Sequence, residues 1–385
     1  MFTLALGCRS KGGTAKVEPK AKARGRLGVS DIEALIPPHV AHRAVWANAV
    51  ANGLRSNKLP TDAPYVCGVI AIIAQESNFA ADPVVPGLGK LVEARLDAYR
   101  SKLGLLGKPV FNRLLAGHSP TDERTFEKRM ESARTERDVD VTFRDLVAFY
   151  QSSYPTTFKA LSLAGQVFDI ASLDDMNPIT TAGPMQVNVK FAEQWAREHK
   201  GDPDAVRDAL YTPVGGVYYG TARLFGYDAS YAGPLHRFAD YNAGVYASRN
   251  AALQAQVMRL TGGKLALDGD FLAYDKDAEV KADDDTASLK EVLIFRDRYA
   301  AEEITERRVR KDLLKEKTRD FEKTETYQAI KKAYAAKFKS QPRYAIMPEV
   351  AISSPKLRSK RSTNWYAQSV QRRFESCMAA ATPSE

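Results

Sequence analysis

The chain has 385 residues, 44% of them hydrophobic, which is enough for a globular core and exceeds one typical domain. The net charge is +9, and no apolar run is long enough to span a bilayer. Basic residues cluster in residues 1–30 and again near the C-terminus, at Lys356, Arg358, Lys360, Arg361, Arg372 and Arg373. No recognised nucleic-acid motif accompanies them, so they are interpreted as solvated surface and no nucleic-acid partner is expected. The three cysteines lack metal-ligand spacing, so neither a metal nor a cofactor is expected.

The first residues have the character of an export signal. The segment from Leu4 to Cys8 resembles the end of a bacterial lipoprotein signal, in which the cysteine becomes the lipidated first residue. Ala5 and Leu6 depart from that pattern, since Leu and a small residue are usual there. We expect residues 1–29 to be a signal remnant and a disordered basic tether, and the protein to be a periplasmic lipoprotein held at the outer membrane by lipid on Cys8. The alternative is an ordinary flexible N-terminus.

Two helix starts follow the tether. Ser30-Asp31-Ile32-Glu33 has the pattern of a capping box. Thr61-Asp62-Ala63-Pro64 combines a capping side chain with proline in the first turn, which predicts a second start. Apolar residues then recur at helical spacing, so this helix buries one face; they are Val66, Val69, Ile70 and Ile73. Cys67 is expected to be a small core residue, and its pairing with Cys377 in a disulfide is not favoured.

Glu76 is the candidate chemical residue of this helix. It follows Ile73 by three positions and therefore continues the apolar stripe. Burial disfavours the carboxylate form, and the negative C-terminal end of the helix acts in the same direction. We therefore predict a raised pKa for the Glu76 carboxyl, which is the property of a general acid that works near neutral pH.

Helices separated by loops are predicted for the rest of the chain. Residues 80–175 combine helical periods with frequent proline and glycine, and Thr142 to Tyr150 is predicted as an amphipathic helix. Residues 263–288 are acidic and loop-like, and a calcium loop is disfavoured because Val280 stands where its glycine is needed. Residues 289–385 are predicted as a helical C-terminal extension. Its expected parts are a buried stripe (Tyr327, Ile330, Tyr334, Phe338), an extended segment (Tyr344 to Ile352) and a last helix from Thr363.

Three short motifs stand out: Glu76-Ser77-Asn78-Phe79, Ala182-Gly183-Pro184-Met185-Gln186-Val187-Asn188 and Asp240-Tyr241-Asn242-Ala243-Gly244. A helix start at Thr212-Pro213, followed by Gly215, Gly216 and Gly220, lies between the second and third. In this order they resemble the catalytic domain of the lytic transglycosylases and goose-type lysozymes, which cleave bacterial cell-wall glycan. That family has Glu-Ser-x-Phe, Gly-Leu-Met-Gln and Tyr-Asn-Ala-Gly at these places. In overall layout the chain resembles an uncharacterised group of proteobacterial lipoproteins that carry this domain.

The resemblance covers roughly residues 60–80 and 176–262 and implies a fold. That fold is mainly α, with a lysozyme-like core over residues 30–262. A long helical insertion at 80–175 and the C-terminal helical extension would pack on this core. The acidic loop at 263–288 would separate core from extension.

The resemblance also implies the site residues. Glu76 would be the catalytic acid, and Ser77 would steady the acid or the sugar by hydrogen bonding. Gln186 would line the groove, Tyr241 would be the hydrogen-bond partner of Glu76, and Asn242 would lie beside them. The substrate would be peptidoglycan glycan strands.

The residues support this interpretation, although each has a plain alternative. Gly183 allows a tight turn that brings Gln186 against a ligand, and Gly244 fits a helix C-terminal cap. Asn242 could equally serve only to cap its helix, and Tyr241 could be a half-buried structural tyrosine. Met185 and Val187 are expected to be core.

The number of carboxylates decides the reaction. A hydrolytic glycosidase uses two, whereas a lytic transglycosylase manages with one. Its Glu protonates the glycosidic oxygen and then takes the proton from the C6 hydroxyl of the same muramyl sugar, which closes onto C1 as a 1,6-anhydro product. No motif marks a second catalytic acid among those near the later motifs, which are Asp169, Asp174, Asp175 and Asp240. We therefore favour the non-hydrolytic reaction.

Two departures leave a competing hypothesis open. Pro184 stands where the family has Leu, and 110 positions separate Glu76 from Gln186, far more than in the common enzymes. The insertion would either build extra groove wall or cover the groove. The alternative function is a non-catalytic peptidoglycan-binding or scaffold lipoprotein, although an intact Glu76 argues against it.

Overall fold

A computed structural model describes residues 25–102, 104–154, 177–274, 280–281, 284–352 and 361–381. Cys8, the acids Asp169, Asp174 and Asp175, and most of the disfavoured calcium loop lie outside these ranges. Helix dominates the described chain, so the prediction of a mainly α protein is confirmed.

The helices fall into two groups along the chain. Those before the second motif are α1 (Val29–Leu35), α2 (Arg43–Ser56), α3 (Ala63–Glu76), α4 (Leu88–Lys102), α5 (Gly104–Leu115), α6 (Phe126–Glu131) and α7 (Glu136–Ser153). Those after it are α8 (Val189–Glu198), α9 (Val206–Leu210), α10 (Pro213–Phe225), α11 (Leu235–Ala243), α12 (Ala247–Thr261), α13 (Ala287–Tyr299), α14 (Glu306–Leu313), a 3-10 helix (Arg319–Lys323), α15 (Glu325–Phe338) and α16 (Thr363–Ala381).

The strands of the described chain are two short antiparallel pairs. β1 (Thr181–Ala182) pairs with β2 (Val187–Asn188), with Ala182 opposite Val187. β3 (Ala351–Ile352) pairs with β4 (Arg361–Ser362). The first pair frames the second motif, and the second leads directly into α16.

Local capping explains most helix starts. The Asp62 side chain accepts from the Tyr65 N–H at the start of α3, and Thr212 accepts from Gly215 at the start of α10, as predicted. α1 begins at Val29, one residue before Ser30, which was the predicted capping residue. The contact at the start of the helix is made by the Asp31 carboxylate, which accepts from the Gly28 N–H. The helix expected from Thr142 begins earlier, at a capping box formed by Thr135 and Asp138.

Two hydrophobic cores organise these helices. The first gathers apolar side chains of α1 to α11 and also of α16. The second is built by α12 to α15 and includes the predicted stripe, with Tyr327, Ile330 and Tyr334 buried and Phe338 packed against it. The C-terminal region is therefore divided. Only its first part packs as an addition, whereas α16 lies on α3 and α11 within the first core.

A disulfide joins Cys67 of α3 to Cys377 of α16, which corrects our expectation that this pairing was possible but not favoured. The sequence separation is 310 residues, so local spacing gave no indication of it. Helix packing brings the two Cα atoms to 5.5 Å, which is an ordinary separation for a disulfide. The bond fastens the last helix to the helix that ends at Glu76.

Replacing both cysteines by alanine should lower the free energy of unfolding by about 2–5 kcal/mol, because the cross-link restricts a long loop of the unfolded chain. Urea unfolding followed by circular dichroism measures the change. Reductant should destabilise the native protein by a similar amount and leave the double variant unaffected. A reductant-insensitive native midpoint would contradict the cross-link.

Candidate active site

A groove of about 740 Å³ lies where the three motifs meet. It is lined by Glu76 of the first motif, Gln186 to Asn188 of the second, and Tyr241 and Asn242 of the third. Residues outside the motifs complete it: Gln75, Pro83, Val84, Val85, Pro86, Glu136, Thr181, Arg223, Arg361, Trp365 and Tyr366. Segments far apart in sequence therefore form one concave surface.

Glu76 is the last residue of α3 and is half-buried rather than enclosed in the apolar stripe. The chain turns sharply after it, because Asn78 and Phe79 both adopt left-handed backbone conformations, with φ of 49° and 64°. The Phe79 ring then packs edge-on against Trp46, with centroids 5.5 Å apart. This anchored turn leaves the Glu76 carboxyl at the groove.

Ser77 does not take the role that the resemblance implied. Its hydroxyl donates to the Ile73 carbonyl at 3.2 Å, one turn back in its own helix. It is not among the residues that line the groove. In this structure Ser77 completes the end of α3.

The second motif is the turn between β1 and β2. Gly183 adopts a φ of 76°, and an added Cβ would lie 1.9 Å from the Leu210 carbonyl oxygen, so only glycine fits. The Gln186 side chain accepts from the Thr181 hydroxyl at 3.1 Å and donates to Glu136 at 2.9 Å. The turn thus places Gln186 on the groove.

The third motif ends α11. Gly244 caps the helix with a φ of 120°, which places Tyr241 and Asn242 in the last turn as predicted. The Tyr241 hydroxyl donates to the Met185 carbonyl at 2.8 Å, so its proton ties the third motif to the second and is not donated to Glu76. Burial is the main reason that the pKa of the Tyr241 hydroxyl lies well above its ordinary value, and the nearby Glu76 raises it further. Asn242 is exposed and accepts from the Thr363 hydroxyl at 3.4 Å.

Tyr366 of α16 forms a hydrogen bond with Glu76, in which its hydroxyl donates to Oε1. The side chain is buried, and burial together with Glu76 raises the pKa of the phenol well above its ordinary value. It therefore remains a proton donor to the carboxylate. No motif of the sequence indicated it, since it lies 290 residues after Glu76.

The described part of the insertion supplies a wall of the groove. Pro83 to Pro86 lie on the groove, and this segment is joined to the start of α7 by the hydrogen bond from Val85 N–H to the Arg134 carbonyl at 2.9 Å. Glu136, the first residue of α7, is buried and also lines the groove. A second carboxylate therefore shares the site with Glu76, which the sequence did not indicate.

Other charged groups hold the site's supporting helices. Asp140 of α7 is fully buried and pairs with Arg207 of α9 at 2.7 Å, which fixes the helix that carries Glu136. Asp240 is also buried and accepts from the hydroxyls of Tyr227 and Tyr231 at 3.1 and 2.5 Å. Burial raises the Asp240 pKa. Asp240 thus supports the fold around α11 and is not among the residues that line the groove.

Among the residues that the structure describes, no group of three or more His, Cys, Asp or Glu side chains is placed to hold a metal ion. A membrane-spanning helix is likewise not found in the described part of the chain.

A double-mutant cycle should detect the contact between Glu76 and Tyr366. We expect Glu76→Gln and Tyr366→Phe to be coupled by about 0.5–3 kcal/mol in the free energy of unfolding, because residues that share a hydrogen bond are not energetically independent. Urea unfolding of both single variants and the double variant measures the coupling. Tyr218→Phe, combined with Glu76→Gln, is the control, and the two should be additive. Additivity of the Tyr366 pair would refute the contact.

Gly220→Ala should displace the second motif. An added Cβ would lie 2.7 Å from the Met185 Cβ, so the turn that carries Gln186 must move, at an expected cost of about 1–3 kcal/mol. Thermal unfolding measures the loss. Gly233→Ala is the matched control, since nothing lies within 4 Å of its added Cβ, and equal melting temperatures for the two variants would contradict the packing.

Comparison with known proteins places the chain in a family. It is 33% identical over 377 residues to the Escherichia coli (strain K12) protein described as "Uncharacterized protein YaiW", covering 97% of this chain and 94% of that protein. No solved structure matches the chain. The family model described as "Protein of unknown function (DUF1615)" matches residues 39–380, a range that contains every motif and nearly all of α16. The chain therefore belongs to the DUF1615 family.

Proposed function

We propose that the protein is a peptidoglycan lytic transglycosylase that uses Glu76 as its single acid and base. The observation that carries this proposal is the convergence of the three motifs on one groove, with Glu76 and Gln186 both on its surface although 110 positions separate them. The groove volume of about 740 Å³ lies within the range of ligand sites, roughly 300–1,000 Å³.

The site's contacts suit proton transfer in both directions. In the proposed reaction Glu76 gives its proton to the glycosidic oxygen and becomes a carboxylate, while the bond between that oxygen and C1 of the muramyl sugar breaks and the next sugar leaves with a free hydroxyl. The Tyr366 hydroxyl donates to that carboxylate and stabilises it, because a hydrogen bond to a charged acceptor is stronger than one to a neutral acceptor. Glu76 then takes the proton of the C6 hydroxyl as this oxygen closes onto C1. Proton and bond changes balance without water or a second carboxylate.

The proposal includes a lysozyme-like core, formed by the helices of the first hydrophobic core, and a place outside the cytoplasm. The disulfide between Cys67 and Cys377 supports that location, because such bonds persist in oxidising compartments such as the bacterial periplasm. The signal-like segment ending at Cys8 supports anchoring by lipid to the outer membrane.

Hydrolysis is a second candidate, favoured by Glu136. This buried carboxylate lines the same groove and accepts from the Gln186 amide. It also lies in the first turn of α7, where the helix dipole stabilises negative charge. A second carboxylate in the same groove as the proposed acid is what a hydrolytic glycosidase requires.

Glu76→Gln should preserve the fold and reduce glycan cleavage by at least 10²–10⁴-fold, because the amide can neither give nor take the proton. Purified peptidoglycan is digested, and the products are separated and identified by mass. The native products should carry 1,6-anhydro ends. Glu375→Gln, a change of the same kind at an exposed position of α16, should cleave at the native rate.

Other outcomes separate the alternatives. Reducing ends, together with a comparable loss in Glu136→Gln, would establish hydrolysis. Glycan binding without cleavage in the native protein would favour the scaffold hypothesis. Equal cleavage by the native protein and Glu76→Gln would remove Glu76 from the mechanism.

A further inference from the structure

Two arginines line the same groove as Glu76. Arg223 comes from α10 and Arg361 from β4, immediately before α16. Within the part of the chain that the structure describes, neither guanidinium forms an ion pair with an acid. Each lies over an aromatic ring: Arg223 is 5.3 Å from the centroid of Phe191, and Arg361 is 3.8 Å from that of Trp365.

These two arginines have fewer hydrogen-bond and ion-pair partners within the described protein than Arg249, which supports the fold. The fully buried Arg249 donates to the carbonyls of Glu316 and Thr318 and lies 3.4 Å from the Glu322 carboxylate. By contrast, Arg361 has a buried Nε without a hydrogen-bond partner among the described residues. Burial lowers the pKa of Arg223, so its positive charge is held at a cost. An anionic ligand would offset that cost.

The surroundings define the ligand's chemistry. A guanidinium presents parallel N–H donors that match a carboxylate, and stacking on a ring holds its plane in place. The exposed Trp365 ring adds an apolar surface next to the same guanidinium. The acids of the groove, Glu76 and Glu136, already engage Tyr366 and Gln186. The groove therefore offers donors for a carboxylate together with contacts for a sugar.

We propose that Arg223 and Arg361 bind a carboxylate of the glycan, so that the groove selects acidic glycan strands over neutral ones. This inference rests on the proposed function for the identity of the glycan. The carboxylate has two sources in peptidoglycan: the lactyl group of a muramyl sugar that has lost its stem peptide, and the stem peptide itself. Both present the same chemistry to a guanidinium.

Binding is measured in the Glu76→Gln background, so that no substrate is consumed, by titration calorimetry with three probes. The probes are neutral chito-oligosaccharides, peptide-free glycan strands with free lactyl carboxylates, and glycan strands that retain stem peptides. We expect about 10–100-fold tighter binding of a carboxylate-bearing probe than of the neutral one. The probe with the higher affinity identifies the source of the carboxylate.

In the Glu76→Gln background, Arg223→Gln and Arg361→Gln should each remove most of the preference for a carboxylate-bearing probe. Binding of the neutral probe should remain nearly unchanged. Arg361→Lys should keep part of the preference, because it retains the charge without the planar fork. Arg372→Gln, at an exposed position of α16 outside the groove, is the matched control and should keep all of it. Circular dichroism and melting temperature confirm the fold of each variant.

Equal affinity for the three probes, or a preference that survives both glutamine changes, would overturn the inference. If the native protein cleaves peptidoglycan but the three probes bind with equal affinity, the proposed function stands and the inference about the two arginines fails. If the protein prefers carboxylate-bearing probes but does not cleave peptidoglycan, the arginine site stands and the transglycosylase proposal fails.

Discussion

The packing of the last helix against α3 is the interaction on which the site depends. The Cys67–Cys377 disulfide joins the two helices, and the Ser369 hydroxyl donates to Gln75 at 2.8 Å near the end of α3. These contacts hold Tyr366 over Glu76. The acid is therefore contributed by one end of the chain and its hydrogen-bond donor by the other. Local unfolding of α16 would separate them even if the rest of the first core stayed folded.

A second constraint is the close approach between α10 and the turn of the second motif. Gly216 and Gly220 lie on the side of α10 that meets Pro184 and Met185, where added Cβ atoms would lie 2.4 and 2.2 Å from the nearest side-chain atoms. Pro184, which stands where the lytic transglycosylases have Leu, is therefore accommodated by a glycine of the neighbouring helix. Tyr241 completes the arrangement by donating to the Met185 carbonyl. The groove's shape thus results from backbone proximity more than from large side chains.

The charged residues of the groove are held in place in two different ways. Glu76 and Glu136 accept hydrogen bonds from Tyr366 and Gln186, so both acids are held in defined positions. Arg223 and Arg361 are held by aromatic rings instead, and so retain donors for a ligand. Hydrogen bonds within the protein hold the two acids, whereas stacking on aromatic rings holds the two arginines that are proposed to bind a carboxylate. The insertion therefore contributes a carboxylate, Glu136, to the groove.

Local signals in the sequence were sufficient for the helical class, the starts of α3, α10 and α16, the end of α11, and the turn at Gly183. Capping side chains, proline in a first turn and glycine at a left-handed position act over a few residues, so the sequence alone determines them. Glu76 and Gln186 were recognised in the same way, because each belongs to a short motif with its own turn. Tyr366, Glu136, Arg223 and Arg361 were not, and neither was the disulfide. Their roles arise from helices that meet across up to 310 positions, and only tertiary packing decides which side chains share a groove.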